Sequence, residues 1–407
     1  MRLRRKIGRF FTFFVIIIFI NLCTAFFLCA QKKTEEKSLQ KATPLFTTTA
    51  SDSLQENMQE QLDNLDLAAL EKYLRSIDGL SEDSIVEQIL AYVKGAKFDF
   101  SDFGKVILEA FLSKTSRLLP SFAVIAAITL LAGVISTLKS NVNGQTSTEM
   151  IFLITYAAAL IPLLAILIEC FQETAKGVGQ MRKQMQLVYP LMLTLMAASG
   201  GTVSAAVCRP AVAFFSTSIV SVVDGVVFPL TVTIIVLSMA GNLTKELKIG
   251  KFSAFFKSIN KWIIGICVSV FGIFFTLQGI TTAIYDGVVR RAAKYAIGNG
   301  IPIVGGFLSG GFDLAVAGSV LIKNSLGSMG VFMLLSVLIE PLVLLLSVNV
   351  LLRFVAAITQ PFGDSRISDF LGETAENLHY CTAGLFLTAF LYFLTIVLMI
   401  YSTEALF

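Results

Sequence analysis

Histidine is almost missing from this 407-residue chain, with His379 the only one, and a single tryptophan stands at position 262. One imidazole cannot supply a histidine-based metal cluster, and a serine–histidine or cysteine–histidine nucleophile pair finds little material. The six cysteines (Cys23, Cys29, Cys170, Cys208, Cys267, Cys381) form no CxxC pair and lie in or beside apolar runs. They read as small hydrophobes, not as disulfides or metal ligands. A phosphate-cradling GxxxxGK[ST] loop does not occur, nor does GxSxG or HExxH. No catalytic residue, cofactor or metal is therefore expected, and energy for any transport against a gradient must come from an ion gradient or a separate ATPase. Charge is scarce too, at 15% of residues and a formal net +4, with no basic patch interleaved with aromatics. Nucleic acid is not an expected partner.

What the chain has in abundance is apolar surface. Hydrophobic residues make up 55%, phenylalanine alone contributes 34, and mean hydropathy is +0.77. That balance defines an all-α, polytopic helical membrane protein, with the lipid bilayer as its first partner. Residues 1–30 read as a signal peptide or N-terminal anchor. Arg2, Arg4, Arg5, Lys6 and Arg9 precede an apolar run, with cleavage after Ala25 or Ala30 open. Residues 31–116 read as an extracytoplasmic linker followed by amphipathic helices. Leu62, Leu65, Leu70, Tyr73, Leu74 and Ile77 recur at helical spacing, a second helix is expected from Ser81, and a third piece over 103–112.

Residues 117–407 form the membrane domain, with about 7–8 apolar segments: 118–138, 150–170, 188–208, 211–240, 262–285, 302–322, 331–352 and 382–401. Each is near or above the roughly 20 residues that cross a bilayer. Segment 211–240 is too long for one straight span, so tilt or a break at Pro229 is expected. Lysine- and arginine-bearing stretches at 171–186 and 242–261 read as loops. Their sidedness conflicts with the positive-inside tendency when the polar region is outside.

Pro302, Gly305, Gly306, Gly310 and Gly311 interrupt one apolar segment, and Asp313 follows them. Pro190 with Gly200 and Gly201 forms an earlier echo. The next span after each carries an acid and a proline, Asp224 with Pro229 and Glu340 with Pro341. Two three-helix units, 187–285 and 301–401, would be an inverted repeat with loosened helices, an arrangement used by secondary transporters. The glycines and prolines are candidate helix-break or close-packing positions. Asp224, Asp313 and Glu340 are candidates for a polar path, because a charge at mid-bilayer costs about 2.5–3.5 kcal/mol or more without a partner or cavity. Asp224 and Glu340 are expected to face the bundle interior, with an ion pair such as Glu340 with Arg209 or Arg353 as one arrangement; the alternatives are arginines that snorkel to the interface and acids that are protonated or hydrogen-bonded structural groups.

The block Ile301-Pro-Ile-Val-Gly-Gly-Phe-Leu-Ser-Gly-Gly-Phe-Asp313, then Leu321-Ile-Lys-Asn324, then Gln360-Pro-Phe-Gly-Asp-Ser-Arg-Ile-Ser-Asp-Phe-Leu371, resembles the stage III sporulation protein AE family. The resemblance implies a multi-pass protein of the mother-cell membrane surrounding the forespore. It implies work alongside other stage III sporulation A proteins, including an ATPase and ring-forming components, and the stage II sporulation protein Q complex. The expected role is a permease-like, non-enzymatic part of a channel between the two cells. A structural scaffold for the rings and an independent ion-coupled transporter are the alternatives. No catalytic residue carries over. Pro361, Asp364, Arg366 and Asp369 form a candidate partner-contact loop.

Overall fold

The computed structural model describes residues 58–62, 65, 67–74, 103–140, 145–243, 249–300, 305–361 and 365–404. Two compact units divide the chain, Met1–Asp63 and Asn64–Phe407. In the first, residues 58–62 are helical, with Met58 and Leu62 buried. The N-terminal segment 1–30 and the helix expected from Ser81 lie outside the described residues.

The second unit is built from helices: α1 (Ala68–Leu74), α2 (Phe103–Ser140), α3 (Gln145–Ala198), α4 (Thr202–Leu243), α5 (Gly250–Gly300), α6 (Gly305–Thr359), α7 (Ser365–Asn377) and α8 (His379–Glu404). Six stretches on these helices are long and apolar enough to cross a membrane. The all-α, polytopic expectation holds.

Several boundaries differ from those expected. Of the helical run expected from Leu62 to Ile77, Ala68–Leu74 is helical, with Glu71 N–H donating to the Leu67 carbonyl, and Ile77 lies outside the described residues. The 103–112 piece is the first part of α2 and continues into the apolar helix.

The stretch 171–186 is not a loop. It is the middle of α3, a 54-residue helix about 80 Å long. Its charges alternate with Gln, Ala and Met, all good helix formers, so nothing stops the helix there. The stretch 242–261 is a loop only in part, since residues 250–261 belong to α5. Likewise, segments 302–322 and 331–352 share one 55-residue helix, α6, which runs through Pro341.

The two glycine-pair segments behave differently. At the first, α3 stops in a Schellman-type end: Gly200 has φ 90°, its N–H donates to the Ala197 carbonyl, and Gly201 N–H reaches back to Met196. The second pair, Gly310 and Gly311, lies within α6 together with Gly305 and Gly306. The proposed repeat units thus differ in helix boundaries, the first breaking at its glycine pair and the second running helical through it. Pro302 lies outside the described residues, as do the side-chain surroundings of positions 305–314, including Asp313.

Pro229 does not break α4. Two π-helical turns, Phe215–Ile219 and Val223–Val227, widen the helix upstream of it. A proline ring excludes the carbonyl four residues back, and the second wide turn holds that carbonyl, Gly225. Thr231 Oγ1 donates to the Val227 carbonyl at 2.7 Å and Thr233 Oγ1 to that of Pro229 at 2.9 Å. Backbone acceptors are met internally, as an apolar solvent demands.

The core sits between α3, α6 and α8. Here the closest contacts are made where glycine leaves room. A Cβ on Gly327 would come 2.5 Å from Ile400 Cδ1, one on Gly330 2.9 Å from Ile396 Cδ1, and one on Gly177 2.9 Å from Pro341 Cγ. α1 also docks in this unit, with Leu70 buried and Tyr73 facing Gln184 of α3. Burial raises the Tyr73 phenol pKa above its ordinary value, partly offset by the hydrogen bond to Gln184.

Candidate functional site

Contacts across the helices bring six charged residues to about one level of the bundle. Gly177 of α3 packs on Pro341 of α6 and reaches Leu385 of α8, while the neighbouring Gly384 packs on Val223 and Phe228 of α4. Around this level Lys114 Nζ lies 3.5 Å from Glu340 Oε1, Lys176 Nζ 3.5 Å from Glu173 Oε2, and Arg182 Nη2 4.0 Å from Asp224 Oδ2. Thr115 Oγ1 donates to Ser347 Oγ at 3.0 Å beside the first pair.

The expectation for the acids is therefore corrected in two respects. Asp224 and Glu340 are not buried in the bundle interior: their side chains are 47% and 62% exposed in the isolated chain. Their cations are Arg182 and Lys114, not Arg209 or Arg353. The reason lies in the π turn and in Pro341: each places its acid beside a helix crossing where a long cationic side chain comes across. Arg353 instead donates from Nε to Asn349 Oδ1 at 2.8 Å and from Nη2 to His379 Nε2 at 3.0 Å. Arg209 is exposed on α4.

The partner-contact stretch divides. Pro361 and Asp369 are exposed. Arg366 stacks its guanidinium 3.4 Å over the Phe152 ring, an internal cation–π contact and so not a free group awaiting a partner. Asp364 lies outside the described residues. α7 is no loose loop: Ile367, Phe370 and Leu371 are buried, and Ser368 Oγ donates to the Ala356 carbonyl at 2.9 Å.

Two features escaped the sequence reading. Lys323 is fully buried, and its Nζ donates to the Ile400 carbonyl at 2.9 Å. That carbonyl is near the end of α8, the negative pole of the helix, which suits a cation. Only the placement of a segment end at position 322 hid it. Glu373 on α7 accepts a hydrogen bond from Ser238 of α4. An acid in the amphipathic α7 looked like part of a solvated face.

A bundle of long apolar helices with paired charges at one level and a glycine-packed centre defines a polytopic helical membrane protein. Comparison takes the assignment further: residues 84–403 match the family described as stage III sporulation protein AE. The stage III sporulation protein AE of Bacillus subtilis (strain 168) is 24% identical over 323 residues, covering 79% of this chain and 81% of that protein. No solved structure matches. The chain belongs to the stage III sporulation protein AE family, and its role is in sporulation.

Proposed function

We propose that this chain is a permease-like, non-enzymatic component of a channel or transport complex between mother cell and forespore, resident in the mother-cell membrane around the forespore. Its partners in this reading are other stage III sporulation A proteins, including an ATPase and ring-forming components, and the stage II sporulation protein Q complex. Family membership supports the setting. The observation that carries the permease-like part is the level of paired, partly exposed charges on α2, α3, α4 and α6. Charges on apolar helices are tolerated where they meet water or a polar partner, not lipid. A scaffold role is the second reading, favoured by the close glycine packing of α6 on α8.

The test uses charge. Glu340→Lys in the full chain should lower late forespore gene expression at normal protein levels, and Lys114→Glu added to it should restore part of the loss. Normal expression in the single variant would remove the charged level from the mechanism and leave the scaffold.

A further inference from the structure

Acids on the membrane helices are not all compensated. Asp224, Glu340 and Glu173 each have a cation, whereas among the described residues no basic nitrogen lies within ion-pair distance of Glu373. Its hydrogen-bond partner is the Ser238 hydroxyl. The nearby cation on α7, Arg366, lies over the Phe152 ring.

Oxygen atoms without partners also occur on α7 and α5, both of which pack on α4. Thr374, next to Glu373, is fully buried and its Oγ1 has no hydrogen-bond partner; the same is true of Ser253 Oγ on α5, at 7% exposure. Register brings Ser253 to the site. Asn260 Nδ2 of α5 donates to Thr231 Oγ1 of α4 at 3.0 Å. The two helices follow one another across a short connection and run antiparallel, so two turns along, Ser253 comes opposite Ser238. Deeper in the same seam Asn260 Oδ1 is also buried and unpartnered, beside the Val227 carbonyl of the π turn. Buried polar atoms are rarely left without a partner, so such a group of orphans points to something that fills it.

We propose that the junction of α4, α5 and α7 binds a monovalent alkali cation, sodium, with Glu373 as its charged ligand and Ser238, Ser253 and Thr374 as neutral ones. Hydroxyl and carboxylate oxygens without sulfur or imidazole suit a hard cation. One carboxylate balances one positive charge, whereas a divalent ion would leave a net charge in an apolar setting. Oxygen ligands next to an irregular helix are how membrane bundles hold such ions.

The site goes beyond the proposed role, and its test needs no partner protein, so its failure leaves that role untouched. The purified full chain in detergent is melted at constant ionic strength while choline is exchanged for sodium. A saturable rise in Tm is expected, since a ligand bound only by the folded state stabilises it. That rise should vanish in Glu373→Gln, shift to higher sodium in Ser253→Ala, and persist in Trp262→Ala. If Glu373→Gln does not fold, Ser253→Ala and Thr374→Val carry the test, and unchanged sodium dependence in both would overturn the site. So would equal Tm in sodium and choline for the unaltered protein. A Tm indifferent to sodium but rising as pH falls would overturn it as well, in favour of a protonated Glu373 bound to Ser238.

Discussion

The inner and outer helices of this bundle solve the same problem in opposite ways. The most apolar windows of the α6 span and of the span 366–401 are 61% and 67% buried, against 29% for that of α2 and 11% for that of α5. Inside, glycines bring α6 against α8 closely enough that a methyl group would collide, and Lys323 and Gln184 reach backbone carbonyls. Outside, Phe255, Trp262, Ile266 and Ile273 of α5 point away from the chain. Lipid is as apolar as those side chains, so burying them gains little, whereas close packing and satisfied polar groups hold the centre. Cohesion should therefore be concentrated in α3, α6 and α8.

Substitutions rank accordingly. The largest effect belongs to Gly327→Leu, whose first side-chain atom would already meet Ile400. Overpacking of about 1–3 kcal/mol or more is expected, read as loss of a monodisperse peak in detergent chromatography. Next comes Lys323→Ala, which leaves the Ile400 carbonyl and its surroundings unfilled. A cost of about 1–3 kcal/mol should appear as lowered Tm, partly recovered by Arg if the cavity admits it.

Gly200→Ala should cost about 1–2 kcal/mol, because φ 90° disfavours any Cβ. Gly179→Ala, which meets nothing within 4 Å, is its control and should be neutral. Smaller still is Glu340→Gln: a half-exposed pair contributes about 0–1 kcal/mol, so stability barely moves even if sporulation does. Trp262→Ala on the outer face should leave Tm unchanged, and a clear drop there would erase the distinction between inner and outer helices.

Much of the fold could be read from the residues. The membrane class follows from composition, and a helix carrying Leu70, Tyr73 and Leu74 follows from their spacing. The continuity of α3 did not, because the charges at Glu173, Lys176 and Arg182 resemble a loop when each apolar run is counted as one crossing. Gly177 in that stretch marks a close approach to Pro341, a relation between positions far apart in sequence. The acids themselves were legible at Asp224 and Glu340, but their partners Arg182 and Lys114 were not, since pairing depends on which helices cross. Lys323 stayed hidden because it falls just past a segment end, and Glu373 because it reads as part of a solvated helix face.

Water reaching the charged level is the central claim, and single cysteines test it most directly. In a chain with its native cysteines replaced, Lys176→Cys and Ile273→Cys are compared in sporulating cells with a membrane-impermeant thiol reagent. The two native side chains are similarly uncovered in the isolated chain, at 58% for the Lys176 side chain and 63% for Ile273, so the difference reports the medium each one meets. Labelling at 176 without labelling at 273 is the predicted result; no labelling at 176 would contradict it.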